Sequence, residues 1–336
     1  MRSDFERERR DAGAHHQPPD LPRACGVTPL KNVLLAPALR EGDTVALVSP
    51  AGPLASAEEF ARAEAVVSSL GLAARIGRHA RKKRGYLAGS DAERAADFNE
   101  AVRDPQVRGI FALRGGYGTM RILDAIDYAG LAADPKVVLG YSDLTAPLNA
   151  ITQRTGLVTF HGPVAALSQF TAAETAWLRR AVMQTQPLGE LQSADTHILA
   201  AGDARGRIAG GNLSLIAALA GTAFEVDTAG ALLVIEEVDE APYRIDRMLT
   251  QLRLSGALER AAGILVGRCA NCDVDEQHPY AEMPLAETLR DRLSDLGVPV
   301  LTQLPIGHAG EQWTLPIGMP ARIEDGRIFI DEPAVR

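Results

Sequence analysis

Residues 136–145 read KVVLGYSDLT. The run at 137–139 has the β-branched pattern of a buried strand, and Gly140 ends it. Beyond it, Asp143 and Thr145 are helix-capping residue types, while Leu144, Leu148 and Ile151 continue at helical spacing. Ser142 therefore falls at a tight turn from strand into helix, its hydroxyl aimed past the sheet edge toward a helix N-terminus. Such a turn can present a nucleophile beside free backbone N–H groups. It can equally use Ser142 as one more capping residue, since serine is a favoured N-cap type.

The same alternation runs outward in both directions. Thr44–Val48 is a strand followed by a Pro/Gly loop, and residues 56–70 carry Phe60, Ala63, Val67 and Leu70 on one helical face. Residues 72–76 read as a strand, and Ser90 caps a helix over 92–102. GIFALRGGYGT, at 109–119, runs from strand into glycine loop. Residues 119–128 are helical, and 157–160 form the next strand. This spacing predicts an α/β fold whose N-terminal domain is a doubly wound, mostly parallel sheet carrying Ser142. In such sheets the loops at strand C-termini form the ligand crevice, which brings RGGYG and GYSD together.

Further on, 171–183 is a helix, and GGN at 210–212 opens a short apolar helix. ALLVIEEVDE (231–240) is a strand ending in acids, followed by a long amphipathic helix over 243–260. GILVGRC (263–269) and PVLTQLPIGH (299–308) are strands separated by a helix at 285–296. ARIEDGRIFIDE (321–332) is a hairpin turning at Asp325-Gly326. The organisation expected is a polar, disordered leader over 1–30 and a nucleophile domain over 31–170. An interdomain connection over 171–204 then leads to a smaller C-terminal α/β domain over 205–336.

Composition narrows the function. A chain of 336 residues exceeds the usual single domain, and 46% hydrophobic with 23% charged residues is ordinary for a globular protein. The net charge of -8 argues against nucleic acid or an anionic membrane as the main partner. No run approaches the roughly 20 apolar residues of a membrane span. MRSDFERERR has no apolar core behind it, and no hydrophobic segment follows the Arg9, Arg10 pair, so the cytoplasm is the expected compartment. Three cysteines exclude a disulfide scaffold. Cys269 and Cys272 form a C-x-x-C, but without a second pair, and with only His278 nearby, they read as incidental thiols rather than a metal site.

Three strand ends finish on reactive side chains: Ser142, then Glu236 or Glu237, then His308. A hydroxyl needs a base to take its proton as it attacks; imidazole suits that task, and a carboxylate can fix its tautomer. The order Ser…Glu…His is one used by α/β-hydrolases, although Leu144 stands where their G-x-S-x-G elbow has its second glycine. His161, at another strand end, is the nearest rival to His308. Glu236 and Glu237 point to opposite faces, so one of them serves the site. Asp239 and Glu240 read as loop or capping acids, and Asp246 and Arg247 as helix residues paired with neighbours. The Asp143 N–H and the N–H groups of Gly115 and Gly116 are candidate oxyanion donors. Arg114 is placed either to bind a substrate carboxylate or to form a structural ion pair. Lys82, Lys83 and Arg84 read as a solvated basic loop. RGGYG does not match G-x-G-x-x-G, which argues against a dinucleotide site.

Taken together, ALVSPAGP, LRGGYGTMRILDAID, GYSDLT, HGP at 161–163, GGNLSLIAALAGT, LLVIEEVDEAPYRIDRML and LPIGH…LPIG resemble the LD-carboxypeptidases. These serine peptidases include muramoyltetrapeptide carboxypeptidases and microcin C immunity proteins. The likeness is collinear from about residue 43 to residue 332. It implies a triad of Ser142, Glu236 and His308, oxyanion donors at Asp143 and Gly116, homodimers, and no metal or cofactor. It also implies release of terminal D-Ala from muropeptide tetrapeptides, and Arg114 and Gly115 are the expected substrate contacts. The alternatives are an immunity-type hydrolase of aminoacyl-nucleotide antibiotics, whose pocket should offer an aromatic platform such as Trp177 or Trp313, and a non-catalytic ligand-binding protein. A nicotinamide oxidoreductase is the weakest contender.

Overall fold

The computed structural model describes residues 33–166, 170–273 and 283–336. The expected leader therefore lies outside the described residues. In chain order the first half contains β1 (Thr44–Val48), α1 (Ala57–Ser69), β2 (Ala73–Ile76), α2 (Asp91–Arg103) and β3 (Val107–Ala112). A 3-10 turn at Thr119–Ala125 leads to α3 (Tyr128–Ala133), β4 (Val137–Gly140), α4 (Thr145–Thr155) and β5 (Thr159–His161). After α5 (Ala172–Met183) come β6 (Gly189–Leu191), β7 (His197–Ala200), β8 (Ala204–Asn212) and α6 (Leu213–Leu219). The remainder is β9 (Ala231–Glu236), α7 (Pro242–Leu254), β10 (Gly263–Arg268), α8 (Leu285–Leu293) and β11 (Val300–Gly307). Three short strands close the chain: β12 (Leu315–Ile317), β13 (Pro320–Glu324) and β14 (Arg327–Ile330).

Among the described residues, six strands form one sheet in the order β12-β5-β4-β3-β1-β2, and eight form another, β6-β14-β13-β8-β9-β10-β11-β7. Pairings from β2 through β5 are parallel, as the alternation of strands and helices predicts. Parallel strands covered on both faces need apolar residues at nearly every position. β4 is buried at all four positions and β9 at all six. One apolar core joins the two sheets, with Leu47 and Leu139 in the same cluster as Ile208, Leu232 and Ile306. A second cluster fills the other face of the larger sheet, where α7 contributes Ile245, Leu249 and Leu252 at helical spacing.

Local signals hold where they have a mechanism. Ser90 and Thr171 each make a full capping box, with Glu93 and Glu174 reaching back. The β13–β14 hairpin turns through Asp325 and Gly326, both at positive φ (50° and 71°), as a two-residue primed turn requires. Elsewhere the structure differs from the sequence reading. The helix expected over 119–128 is a 3-10 turn followed by α3, capped by Asp127. Neither Asp143 nor Thr145 caps α4; no side chain does. The stretch 171–204 contains α5 and the two edge strands β6 and β7 of the larger sheet. β12 crosses back to pair antiparallel with β5 in the first sheet.

Candidate active site

Ser142 has φ 63°, in the left-handed region that a residue with a Cβ rarely adopts. It begins a 3-10 turn, Ser142–Leu144, between β4 and α4, and its side chain caps neither helix. The capping alternative therefore fails, and the hydroxyl is left for the cleft. Glycines make room on both sides. A Cβ on Gly140 would lie 2.6 Å from Leu144 Cγ, so Leu144 covers the space that the first elbow glycine leaves. A Cβ on Gly115 would lie 2.9 Å from Ser142 Cβ and 3.1 Å from its Oγ. Gly116 follows at φ 109°, and the Gly52 N–H donates to the Gly115 carbonyl at 3.1 Å, tying the SPAGP loop to the glycine pair.

Asp143 fastens this arrangement from below. Its buried carboxylate accepts the Thr119 N–H at 2.8 Å, and the Thr119 hydroxyl donates to the Asp143 carbonyl at 2.5 Å. Burial raises the Asp143 carboxyl above its ordinary value, against the bonds from Thr119 and Gly118. Arg94, buried nearby, donates to the carbonyls of Pro50 and Gly118, so one guanidinium joins two of the loops.

The larger sheet delivers the other two side chains. Glu236 ends β9, and its Oε2 lies 2.7 Å from His308 Nδ1, just past the end of β11. The pairing depends on absent side chains: a Cβ on Gly307 would lie 2.5 Å from Glu236 Oε2, and one on Gly267 would lie 3.0 Å from Glu236 Cβ. Glu236 is 1% exposed, whereas His308 reaches the surface of the cleft. With Nδ1 donating to the carboxylate, Nε2 is the imidazole nitrogen free to accept a proton. The Tyr141 ring packs against His308 at 4.7 Å between centroids.

Ser142 and His308 border one cleft of about 510 Å³, together with Arg114, Gly115, Gly116, Arg62, Tyr141, Val238 and Asp239. The first sheet thus supplies a hydroxyl and N–H groups, and the second supplies a carboxylate-backed imidazole, to the same space.

Matches to the LD-carboxypeptidase N-terminal domain over residues 45–162 and the LD-carboxypeptidase C-terminal domain over residues 205–323 span most of the chain. The chain belongs to the LD-carboxypeptidase family. It is 39% identical over 288 residues to a probable murein peptide carboxypeptidase of Bacillus subtilis, covering 84% of this chain and 89% of the relative. It is 31% identical to a murein tetrapeptide carboxypeptidase of Pseudomonas aeruginosa, covering 84% of this chain and 94% of that one. Among solved structures, a muramoyltetrapeptide carboxypeptidase from Oxalobacter formigenes matches with TM-score 0.75 and 30% identity, covering 86% of this chain and 99% of that one. The microcin C7 self-immunity protein MccF, in complex with aspartyl sulfamoyl adenosine, matches with TM-score 0.81 over 90% of this chain and 100% of its own; at 24% identity this shows a shared fold.

In this LD-carboxypeptidase several other sequence candidates find different employment. Glu237 is turned away from His308; its carboxylate accepts from Asn212 Nδ2, the Ser214 N–H and hydroxyl, and the Val238 N–H, at 2.7–2.9 Å. His161 is fully buried behind Tyr141, and burial lowers its imidazole below the ordinary value. Trp177 and Trp313 pack against each other at 5.8 Å and border a different cavity, with Arg268 and Gln312. Lys82 pairs with Glu93, and none of Lys82, Lys83 and Arg84 borders the cleft. Arg114 donates to the Pro53 carbonyl at 3.0 Å beside the glycine pair.

Sequence reasoning missed Arg62 and did not show that the Asp239 loop reaches the cleft. Arg62 sits on an exposed helical face with no local signal; it joins the cleft because the loop after β1 brings α1 alongside. Asp239 is a loop acid, as the sequence suggests, and that loop, with Asp239 at φ 57°, borders the cleft. Among the described residues, no group of three or more His, Cys, Asp or Glu side chains is arranged to hold a metal ion, and no helix is long and apolar enough to cross a membrane.

Proposed function

We propose that this chain is a serine LD-carboxypeptidase that releases the terminal D-Ala from muropeptide tetrapeptides during cell-wall recycling. The observation that carries the reading is a strained, uncapped Ser142 bordering the same cleft as His308, whose Nδ1 is held by Glu236. The identity to murein peptidases of two organisms supplies the substrate class.

In this reading Ser142 Oγ attacks the carbonyl carbon of the diaminopimelate L-centre while His308 Nε2 takes its proton. Glu236 stabilises the resulting imidazolium across the Nδ1 bond. The tetrahedral oxyanion is held by the N–H groups of Asp143 and Gly116, each such donor being worth about 3 kcal/mol of transition-state stabilisation. The C–N bond then breaks, the departing D-Ala nitrogen takes the proton from His308, and an acyl-Ser142 ester remains. Water, deprotonated by His308, cleaves the ester and restores the hydroxyl. In the same reading Arg114 and Arg62, which border the cleft, receive the substrate's terminal and side-chain carboxylates. The same reading places the enzyme in the cytoplasm, as a homodimer of the kind common in the family.

The test is a paired hydrolysis assay with a muropeptide tetrapeptide and an aminoacyl-sulfamoyl adenosine. Wild-type protein should release D-Ala, and Ser142→Ala should lose at least about 10⁴-fold in turnover with an unchanged circular dichroism spectrum. Full D-Ala release by Ser142→Ala rejects the nucleophile. Turnover of the nucleotide alone moves the chain to the immunity type, and turnover of neither favours a ligand-binding protein.

A further inference from the structure

The C-x-x-C motif takes no part in the chemistry above, yet its turn is hydrogen-bonded to a segment that borders the cleft. Cys269 follows β10 and Cys272 closes the turn; Cys272 is 1% exposed and Cys269 half-buried. Both border a second cavity of about 280 Å³, together with Gln303 and Ala309. The two residues between the sulfurs hold the segment that leaves Glu236. Ala270 donates its N–H to the Glu237 carbonyl and accepts the Asp239 N–H, both at 2.9 Å. Asn271 Nδ2 donates to Asp239 Oδ1 at 3.0 Å. Asn271 and Asp239 both carry left-handed backbone, at φ 53° and 57°. Val238 and Asp239 border the Ser142 cleft from the other side.

We propose that Cys269 and Cys272 are a modification site: a dithiol that hydroperoxides convert to a reversible intrachain disulfide, with the turn between them transmitting the change to Val238 and Asp239. A thiol–thiol hydrogen bond is the largest influence on both sulfurs, raising Cys269 well above its ordinary value and lowering Cys272. Both sulfurs border the same cavity, and one of them reacts first, as thiolate. It attacks the peroxide oxygen, the O–O bond breaks, and a sulfenic acid and an alcohol (water, from hydrogen peroxide) form. The other sulfur then attacks the sulfenyl sulfur, its proton leaving with the expelled hydroxide as water. Two thiols lose two electrons to one O–O bond. A dithiol reductant reverses the step. This site does not depend on the peptidase reading.

The test treats the full chain with hydrogen peroxide, alkylates the remaining thiols and measures peptide masses. The peptide containing Cys269 and Cys272 should be about 2 Da lighter and unalkylated, and dithiothreitol should restore both thiols. Hydrogen exchange at residues 237–239 should change severalfold on oxidation of the wild type and stay constant in Cys269→Ser. The proposal is overturned if both cysteines remain alkylatable, if either one proceeds to sulfinic acid without the 2-Da loss, if Cys25 is the partner, or if the disulfide forms while exchange at 237–239 is unmoved.

Discussion

Glu236 and Glu237 are adjacent and equally buried, yet they share no partner. One carboxylate oxygen of Glu236 holds His308 Nδ1 and the other has no hydrogen-bond partner, whereas Glu237 has its carboxylate filled by Asn212, Ser214 and Val238. The two should therefore fail differently. Glu236→Gln should keep its melting temperature within a few degrees and lose about 10⁴-fold in kcat, because the imidazole loses its tautomer and its counter-charge. Glu237→Gln should retain most of kcat and lose stability by about 2–3 kcal/mol, the cost of disturbing a filled buried network. Steady-state kinetics beside thermal melts separate the cases, and a larger kcat loss at Glu237 would move the carboxylate by one position. The strand alternation already showed that only one glutamate could face the site, but choosing Glu236 required the resemblance. What the sequence could not show was Ser142 at left-handed φ, because that strain is imposed by the fit between β4, Gly115 and α4 rather than by local propensity.

At the scale of elements, the proposed catalytic side chains sit at strand ends, and glycines next to them set how close the strands' side chains may come. Gly307 is the clearest case: it has φ 102°, and a methyl group there would meet Glu236 Oε2. Gly307→Ala should fold, since it lies at a strand end, but should push the carboxylate off Nδ1 and reduce kcat/KM by at least about 100-fold, the order expected of a misplacement near 1 Å. An unaffected kcat/KM in a folded Gly307→Ala protein contradicts this account. Strands and helices with strong periods (β1, α1, α2, β4, α7) were legible from their apolar spacing. β8 was not, since RIAGGN carries two glycines in a row and glycine weakens a strand pattern. Its glycines are explained only by docking: a Cβ on Gly211 would lie 2.5 Å from Thr145 Oγ1, and one on Gly210 would lie 2.2 Å from the Val234 carbonyl oxygen. β6, β7 and β12 are too short for periodicity to register, so their places come from the sheets they extend.

For the whole molecule, the decisive contact is between α4 and β8, because it fixes the helix that follows Ser142 against the sheet that carries Glu236. Asn149 exchanges two hydrogen bonds with the Gly210 backbone, donating to its carbonyl and accepting its N–H, both at 2.9 Å. Asn149→Leu should leave both backbone groups buried and unpaired and lower stability by about 2–4 kcal/mol, read as a shift in the urea midpoint. A midpoint unchanged from wild type would show that the two halves are held by packing alone. Buried His161 gives that stability a pH dependence. Its imidazole is lowered in the folded chain, so between that value and the ordinary 6.5 the unfolded chain binds a proton that the folded chain does not. Stability is thus fully present above 6.5 and declines as pH falls toward the folded value. Urea midpoints from about pH 7.5 to about pH 5.5 should fall, and more steeply in the wild type than in His161→Phe. Parallel curves would assign the acid sensitivity to other groups. The crossing strand β12 adds a consequence in time. β5 emerges from the ribosome early, but its outer partner is made about 150 residues later, on the order of ten seconds of synthesis. His308 lies in the same late stretch, so under the proposed mechanism a nascent chain carries Ser142 well before the imidazole that would activate it.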